Sequence, residues 1–175
     1  GICIHPHDGK DLEILLKNAD TAMYRAKDIG RNTFQFYATE MNTATLDRLL
    51  MESNLRRALT QKEFILQYQP LVNLEDGLVI GVEALIRWQH PELGMIMPDK
   101  FIHVAEETGL INPIGDWVLC EACRQAKVWC DEGLSPVVMA VNVAPVQFRQ
   151  PGFVEMVAGA LAASGLDAAL LELEL

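Results

Sequence analysis

The 175-residue sequence has few basic residues, few aromatic residues and no long apolar run. It contains 14 lysines and arginines against 24 aspartates and glutamates, so its formal net charge is -10. This shortage of positive charge argues against binding of polymeric DNA or RNA, which depends on basic surfaces. No run approaches the ~18 apolar residues of a membrane span, and no signal peptide is recognisable. We therefore expect no membrane contact from this segment.

Cysteine is also scarce, with four residues at positions 3, 120, 123 and 130. Cys120 and Cys123 have the spacing of redox and zinc motifs, but no second pair and no nearby histidine accompany them. We therefore predict buried, reduced thiols that pack as small apolar groups in a cytoplasmic protein. A longer parent protein could still be anchored to a membrane through segments outside this sequence.

Half of the residues are hydrophobic, which indicates a core-forming sequence, and one apolar run contains two charged residues. Residues 78–88 predict a strand buried on both faces, with Glu83, Leu85 and Arg87 on the same face. A buried carboxylate needs a cation or a strong hydrogen-bond partner, and arginine is suited to phosphate or carboxylate. Two interpretations remain: a structural Glu83–Arg87 ion pair, or a site for a charged ligand.

The order of the predicted elements favours an α/β fold. Residues 64–72 form a predicted strand, and a turn at 74–78 is too short to join parallel strands, so the first two strands are expected to be antiparallel. Strands at 137–143 and 170–175 alternate with helices, a pattern that builds a parallel sheet with right-handed crossovers.

Three polar residues, Glu83, Asn142 and Glu174, lie on consecutive predicted strands. In barrels of this kind, functional residues gather at the carboxyl ends of the strands. Two carboxylates and one amide oxygen are hard ligands suited to Mg²⁺ or Mn²⁺. The alternative is three unrelated polar residues at strand ends.

Glu83-Ala84-Leu85, followed by Arg87-Trp88, resembles the signature of the EAL family of bacterial phosphodiesterases, which linearise cyclic di-GMP. The resemblance runs from about residue 55 to the end and continues, in the family's order, through Tyr68-Gln69-Pro70, residues 98–106, Val141-Asn142-Val143 and residues 171–175. It implies a modified (β/α)8, TIM-like barrel whose first strand is antiparallel.

The resemblance also implies site residues and a reaction. Glu83, Asn142 and Glu174 match the family's metal ligands, with Glu83 and Glu174 as catalytic residues and Mg²⁺ or Mn²⁺ as cofactor. The substrate-binding positions that it implies are Gln69, Leu85, Arg87, Pro98, Phe101 and Glu106. The implied activity is metal-assisted hydrolysis of cyclic di-GMP to linear diguanylate.

Residues 1–38 resemble the C-terminal tail of a GGDEF diguanylate cyclase domain. Residues 39–59 are predicted as a linker helix, and 60–175 as the N-terminal part of an EAL domain. Lys27 and Arg31 match nucleotide-binding positions of the GGDEF family, although a basic helix end that favours the helix dipole would look the same. The GGDEF signature itself does not occur in this sequence.

Because Leu175 lies inside a predicted strand, we expect a fragment of a longer GGDEF–EAL signalling protein, inactive alone because further catalytic groups belong to the rest of the barrel. The parent could be a homodimer. Two alternatives to a phosphodiesterase remain: a receptor that binds cyclic di-GMP without cleaving it, and a cyclase whose EAL domain is regulatory.

Overall fold

The computed structural model describes the backbone of residues 1–175 and every side chain except those of residue 28 and residues 42–47. The chain forms two compact units, Gly1–Ser53 and Asn54–Leu175. Within the described part of the chain, none of the helices combines the length and the apolar character needed to cross a membrane.

The first unit is built around the helix α1 (Leu12–Asp28). Asp11 precedes the helical apolar pattern and is a favoured N-cap residue, and its carboxylate caps the helix by accepting a 2.8 Å hydrogen bond from the Ile14 backbone N–H. Gly30 follows the helix with a φ of 113°. The apolar residues 1–6 and the alternating residues 33–37 predict two short strands, but the structure forms neither in full. A single bridge between Ile2 and Phe36 replaces them, since no further strand extends the ladder.

The predicted linker helix is present as α2 (Glu40–Gln61). The spacing of Leu46, Leu49 and Leu50 predicts an apolar stripe, but Leu49 and Leu50 are exposed, and the side chain of Leu46 is among those not described. Leu55 and Ala58, which belong to the second unit, are fully buried. Among the side chains of α2 that the structure describes, the buried ones lie near its C-terminal end.

The second unit contains a mixed sheet with the order β1-β2-β4-β5, and β3 pairs with β2. Its strands are β1 (Phe64–Val72), β2 (Val79–His90), β3 (Gly94–Ile96), β4 (Val138–Asn142) and β5 (Leu171–Glu174). The β1–β2 pair is antiparallel, whereas β2, β4 and β5 are parallel. Both predicted directions are confirmed.

Four helices complete the unit: α3 (Pro98–Thr108), α4 (Ile111–Asp131), α5 (Pro145–Phe148) and α6 (Phe153–Ser164). A 3₁₀ turn, Ala168–Leu170, precedes β5. Pro98 opens α3 at a position that proline favours, and Gly109 ends the helix in the left-handed conformation. Residues 89–97 were predicted as a loop. Instead, β2 continues to His90 and turns into β3, because backbone pairing extends the hairpin.

The two faces of the sheet have different environments. On one face, Tyr68 packs edge-on against Trp129 of α4, with ring centroids 4.8 Å apart. The helical spacing of Leu119, Cys123 and Ala126 predicts an inner stripe of α4, and all three residues are buried. Cys120 lies outside that stripe and is exposed, and Cys3 and Cys130 are only partly buried, so the prediction of buried thiols is confirmed for Cys123 alone.

The other face carries Glu83, Leu85 and Arg87, which are only half-buried. The prediction that β2 is buried on both faces is therefore wrong. Its apolar residues on the helix-covered side, such as Ala84 and Trp88, are buried, and the polar residues share the open side. Alternation along the strand produces this division.

Burial raises the pKa of the Tyr68 phenol to about 12, with a further contribution from the Glu121 carboxylate. The folded state thus disfavours the phenolate, and the associated stability is complete below the unfolded pKa of about 10 and is lost as the pH rises towards 12. We expect Tyr68→Phe to lose less stability than the wild type between about pH 9 and pH 11. Urea denaturation followed by circular dichroism measures this. Tyr24→Phe, at an exposed position of the first unit, is the control, and identical slopes for Tyr68→Phe and wild type would contradict the assignment.

Candidate functional site

The structure brings together the three polar residues of the parallel strands, but Glu83 lies in the middle of β2 and not at its end, because β2 continues to His90 after its pairing with β4 stops at Ala84. Glu83 lies on β2, and Asn142 and Glu174 are the last residues of β4 and β5. In the strand register, Glu83 is opposite Ala140, and Asn142 is opposite Glu174. Because paired positions share a face, all three side chains point to the same side of the sheet. The Asn142 Nδ2 atom donates a 2.6 Å hydrogen bond to Glu83 Oε1.

The loop after Asn142 is held by backbone and side-chain contacts. The Val143 N–H donates to the Glu174 carbonyl at 2.7 Å, which extends the β4–β5 ladder beyond Asn142. The Ala144 N–H donates to Gln147 Oε1 at 3.1 Å. Gln147 is buried against Gly115 of α4, where an added Cβ would lie 1.7 Å from Gln147 Nε2. The absence of a side chain at Gly115 therefore lets this loop dock on α4.

Arg87 does not pair with Glu83, so the structural ion pair considered from the sequence is wrong. Its Nε donates to Gln67 Oε1 at 3.0 Å, and its Nη1 donates to the Ile86 carbonyl at 2.9 Å. Gln67 lies on β1 opposite Leu85 and extends towards the same face. The guanidinium is thus held along β1, while Glu83 turns towards β4.

Two further predicted residues share the face of Glu83. Gln69 is directly opposite Glu83 across the β1–β2 pair and is exposed, and Leu85 is half-buried between Glu83 and Arg87. Sequence reasoning missed Gln67 as the partner of Arg87. The available signal was its position two residues before Gln69, on the same side of a strand.

The three predicted substrate-binding residues on α3 have different environments. Pro98 is half-buried at the helix start, and Glu106 is exposed. Glu106 lines a depression of about 380 Å³ with Arg149 and Gln150, which follow the loop after Asn142. Phe101 is 0% exposed and packs on Phe64 and Trp88, so it belongs to the core. Glu106 is therefore accessible to a ligand, whereas Phe101 is a core residue of α3.

Lys27 and Arg31 lie in the first unit, and both are exposed. The Lys27 ammonium is 5.0 Å from the Tyr24 ring centroid, in a cation–π contact. Lys27 belongs to the last turn of α1, and Arg31 follows the helix with a φ of 59°. These positions agree with a basic helix end, and nucleotide binding by the two residues stays a prediction.

The side-chain oxygens of Glu83, Asn142 and Glu174 are suited to a hard divalent cation. The side chains that the structure describes include no grouping of three or more His, Cys, Asp or Glu residues placed to hold a metal ion. The candidate set has two carboxylates and one amide, and its third donor is the Asn142 oxygen. Since Asn142 turns its N–H towards Glu83, its Oδ1 remains a potential ligand. Magnesium usually keeps several waters and substrate oxygens, so three protein ligands suit it.

A mixed sheet with an antiparallel first strand, and with two carboxylates and an amide on one face of its parallel strands, defines an α/β protein with a polar site on the sheet. The chain belongs to the EAL domain family, since the model of that family matches residues 52–175.

Among curated proteins, the chain is 45% identical to the bifunctional diguanylate cyclase/cyclic di-GMP phosphodiesterase MucR of Pseudomonas aeruginosa. The match covers 99% of this chain and 25% of MucR. It is 40% identical to the cyclic di-GMP phosphodiesterase NbdA of the same organism, over 99% of this chain and 22% of NbdA. The chain thus spans about a quarter of the length of these relatives.

Among solved structures, the PaMucR phosphodiesterase in complex with c-di-GMP superimposes with a TM-score of 0.70 at 45% identity. That match covers 72% of this chain and 51% of the solved chain. The EAL-type fold of the second unit is therefore supported by both sequence and structure.

The close approach of Gln147 to Gly115 gives a testable consequence. Gly115→Ala should displace the Gln147 amide and break its hydrogen bond to the Ala144 N–H. Gly159→Ala is the matched control, because Gly159 also lies inside a helix and a Cβ there meets nothing within 4 Å. Both changes gain the same helix propensity. We expect Gly115→Ala to be less stable than Gly159→Ala by about 1–3 kcal/mol. Chemical denaturation measures the difference, and equal stabilities would show that the contact is unimportant.

Proposed function

We propose that this chain is part of a cyclic di-GMP phosphodiesterase of the EAL type, which hydrolyses cyclic di-GMP to linear diguanylate in bacterial signalling. The observation that carries the proposal is the alignment of Glu83, Asn142 and Glu174 on one face, with the 2.6 Å Asn142–Glu83 hydrogen bond. Family membership and the printed activities of MucR and NbdA support it. So does the similarity to a solved c-di-GMP complex.

Glu83, Asn142 and Glu174 would together hold Mg²⁺ or Mn²⁺ through oxygen atoms. The chemistry supplied by a bound ion of this kind is polarisation of a phosphoryl oxygen and activation of water as a nucleophile. Within the chain itself, Asn142 orients the Glu83 carboxylate, because its amide N–H occupies Oε1. Glu83 and Glu174 add negative charge that favours a cation at this edge.

Arg87 would bind a phosphate of the dinucleotide. A guanidinium has five N–H donors, and the contacts to Gln67 and Ile86 engage only some of them. Anchoring by Gln67 keeps the side chain on the same face as Glu83, so it need not be ordered by the ligand. Gln69 and Leu85 would contact the bound dinucleotide from the same face, and Pro98 and Glu106 would line its edge. Phe101 would act from the core.

The wider organisation is also part of the proposal. Residues 60–175 would be the N-terminal part of a TIM-like barrel, and residues 1–38 the tail of a GGDEF domain joined by the α2 linker. The MucR match supports this, because it covers 99% of the chain and MucR is a bifunctional cyclase and phosphodiesterase. We infer a cytoplasmic location for the segment. Dimerisation of the whole protein, the possible nucleotide contacts of Lys27 and Arg31 and inactivity of this segment alone stay predictions.

Hydrolysis by the whole protein that carries this chain tests the proposed function. Glu83→Gln should abolish measurable turnover of cyclic di-GMP with Mg²⁺ or Mn²⁺, because the change removes a charged ligand. Glu172→Gln is the matched control, since Glu172 lies on the same strand and face as Glu174. Chromatography of the linear product measures both. Normal turnover by Glu83→Gln would refute the ligand assignment, and wild-type binding without hydrolysis would identify a receptor instead.

Arg87 provides a second test that needs no turnover. Arg87→Ala should weaken cyclic di-GMP binding by about 1.5–3 kcal/mol, the range for a hydrogen bond to a charged group. Isothermal calorimetry in metal-free buffer measures the affinity. Gln67→Ala should weaken binding less, because it removes the anchor and leaves the charge. An unchanged affinity in Arg87→Ala would exclude a phosphate contact.

A further inference from the structure

Four polar side chains meet near the carboxyl end of β2, beyond Glu83, and the proposed chemistry uses none of them. They are Arg57, Glu63, Trp88 and His90, called here the corner cluster. We propose that Glu63 is a positioning residue for cyclic di-GMP binding. Through Trp88 it sets the placement of β2, which carries Arg87, relative to α3. This inference rests on the proposed function.

Glu63 holds Trp88 in one orientation. The Trp88 indole N–H donates to Glu63 Oε2 at 3.0 Å, and Arg57 Nε donates to Glu63 Oε1 at 3.2 Å. Trp88 is 0% exposed, and the Glu63 side chain is 11% exposed. A buried indole N–H requires an acceptor, and Glu63 is the acceptor that the structure provides. The Trp88 hydrogen bond, followed by that of Arg57, lowers the pKa of Glu63, so its carboxylate stays charged at neutral pH.

His90 connects Arg57, the partner of Glu63, to the turn that leads into β3. His90 is buried, and its Nδ1 lies 3.1 Å from the backbone nitrogens of Glu92 and Leu93. Its Nε2 lies 3.1 Å from Arg57 Nη2. The Gln89 N–H also donates to the Glu63 carbonyl at 2.8 Å. The end of α2, the start of β1 and the end of β2 therefore meet at Glu63.

Trp88 connects Glu63 to α3, the helix that carries candidate substrate-binding residues. Its ring packs edge-on against Phe101 of α3, with centroids 5.7 Å apart. The same helix carries Pro98 and Glu106. Arg87 is the neighbour of Trp88 on β2 and projects to the opposite face of the strand. A tilt of the Trp88 ring would consequently change the distance between Arg87 on β2 and the residues Pro98 and Glu106 on α3.

The test compares Glu63→Leu with Glu63→Gln in the whole protein. Glutamine keeps an acceptor for the indole N–H but loses the charge that faces Arg57. We expect Glu63→Leu to weaken cyclic di-GMP binding about tenfold, and Glu63→Gln to stay within about threefold of the wild type. Calorimetry in metal-free buffer measures both. Equal losses in the two variants, or an unchanged affinity in Glu63→Leu, overturn the proposal.

Steady-state kinetics separate positioning from simple destabilisation. Glu63→Leu should raise KM with kcat nearly unchanged, whereas a smaller folded fraction lowers kcat alone. Glu121→Gln is the matched control, because it removes another arginine-paired carboxylate, the partner of Arg124 on α4, and should leave KM unchanged. A loss confined to kcat in Glu63→Leu overturns the proposal.

Trp88→Phe keeps the proposal testable if Glu63→Leu fails to fold. It removes the indole N–H from the pair and should weaken binding several-fold, and wild-type affinity would overturn the inference. If the wild-type protein binds no cyclic di-GMP, the proposed function itself fails. The inference about binding then fails with it, whereas its structural premise is tested separately by hydrogen exchange: faster exchange of the α3 amides in Trp88→Phe than in Glu121→Gln supports that premise, and equal rates overturn it.

Discussion

The hydrogen bond from Asn142 to Glu83 depends on one constraint, the parallel register of β2 and β4. Glu83 is opposite Ala140, so Asn142, two residues further on, projects from the same face and reaches the carboxylate at 2.6 Å. A slip of one residue would send Asn142 to the helix-covered face. The β4–β5 register then aligns Glu174 with Asn142. Both registers are held by the burial of the other face, where Met139 and Val141 are almost inaccessible.

One face of the sheet forms the packed core, and the other carries the candidate site residues. Aromatic and aliphatic residues cover one face, and α4 packs on it through Trp129 and its buried stripe. The other face gathers Glu83, Gln69 and Arg87, which are at least partly accessible to a ligand. Successive residues of a strand alternate between faces. Buried residues of the helix-covered face are therefore sequence neighbours of candidate site residues, as Trp88 is of Arg87. A change in the core can thus alter the site through the backbone of a single strand.

Local signals were sufficient for much of the fold. The short turn after β1 required an antiparallel hairpin, and Asp11 and Gly109 marked helix ends because a cap or a left-handed residue needs only its near neighbours. The same reasoning failed where pairing decided the outcome. The segment 33–37 alternates like a strand but finds a single bridge, whereas the segment around β3 pairs with β2 in spite of its loop-like composition.

For the site, the sequence by itself determined which polar residues lie on the parallel strands, the alternation of faces within each strand and the suitability of these residues for a hard cation. Only the tertiary structure decided their partners. Glu83 accepts from Asn142, 59 residues away, and Arg87 is anchored by Gln67 on another strand. Phe101 is a core residue although its motif suggested a ligand contact. The physical reason is that alternation is a property of one strand, whereas a hydrogen-bond partner depends on the register between strands and on every competing donor nearby.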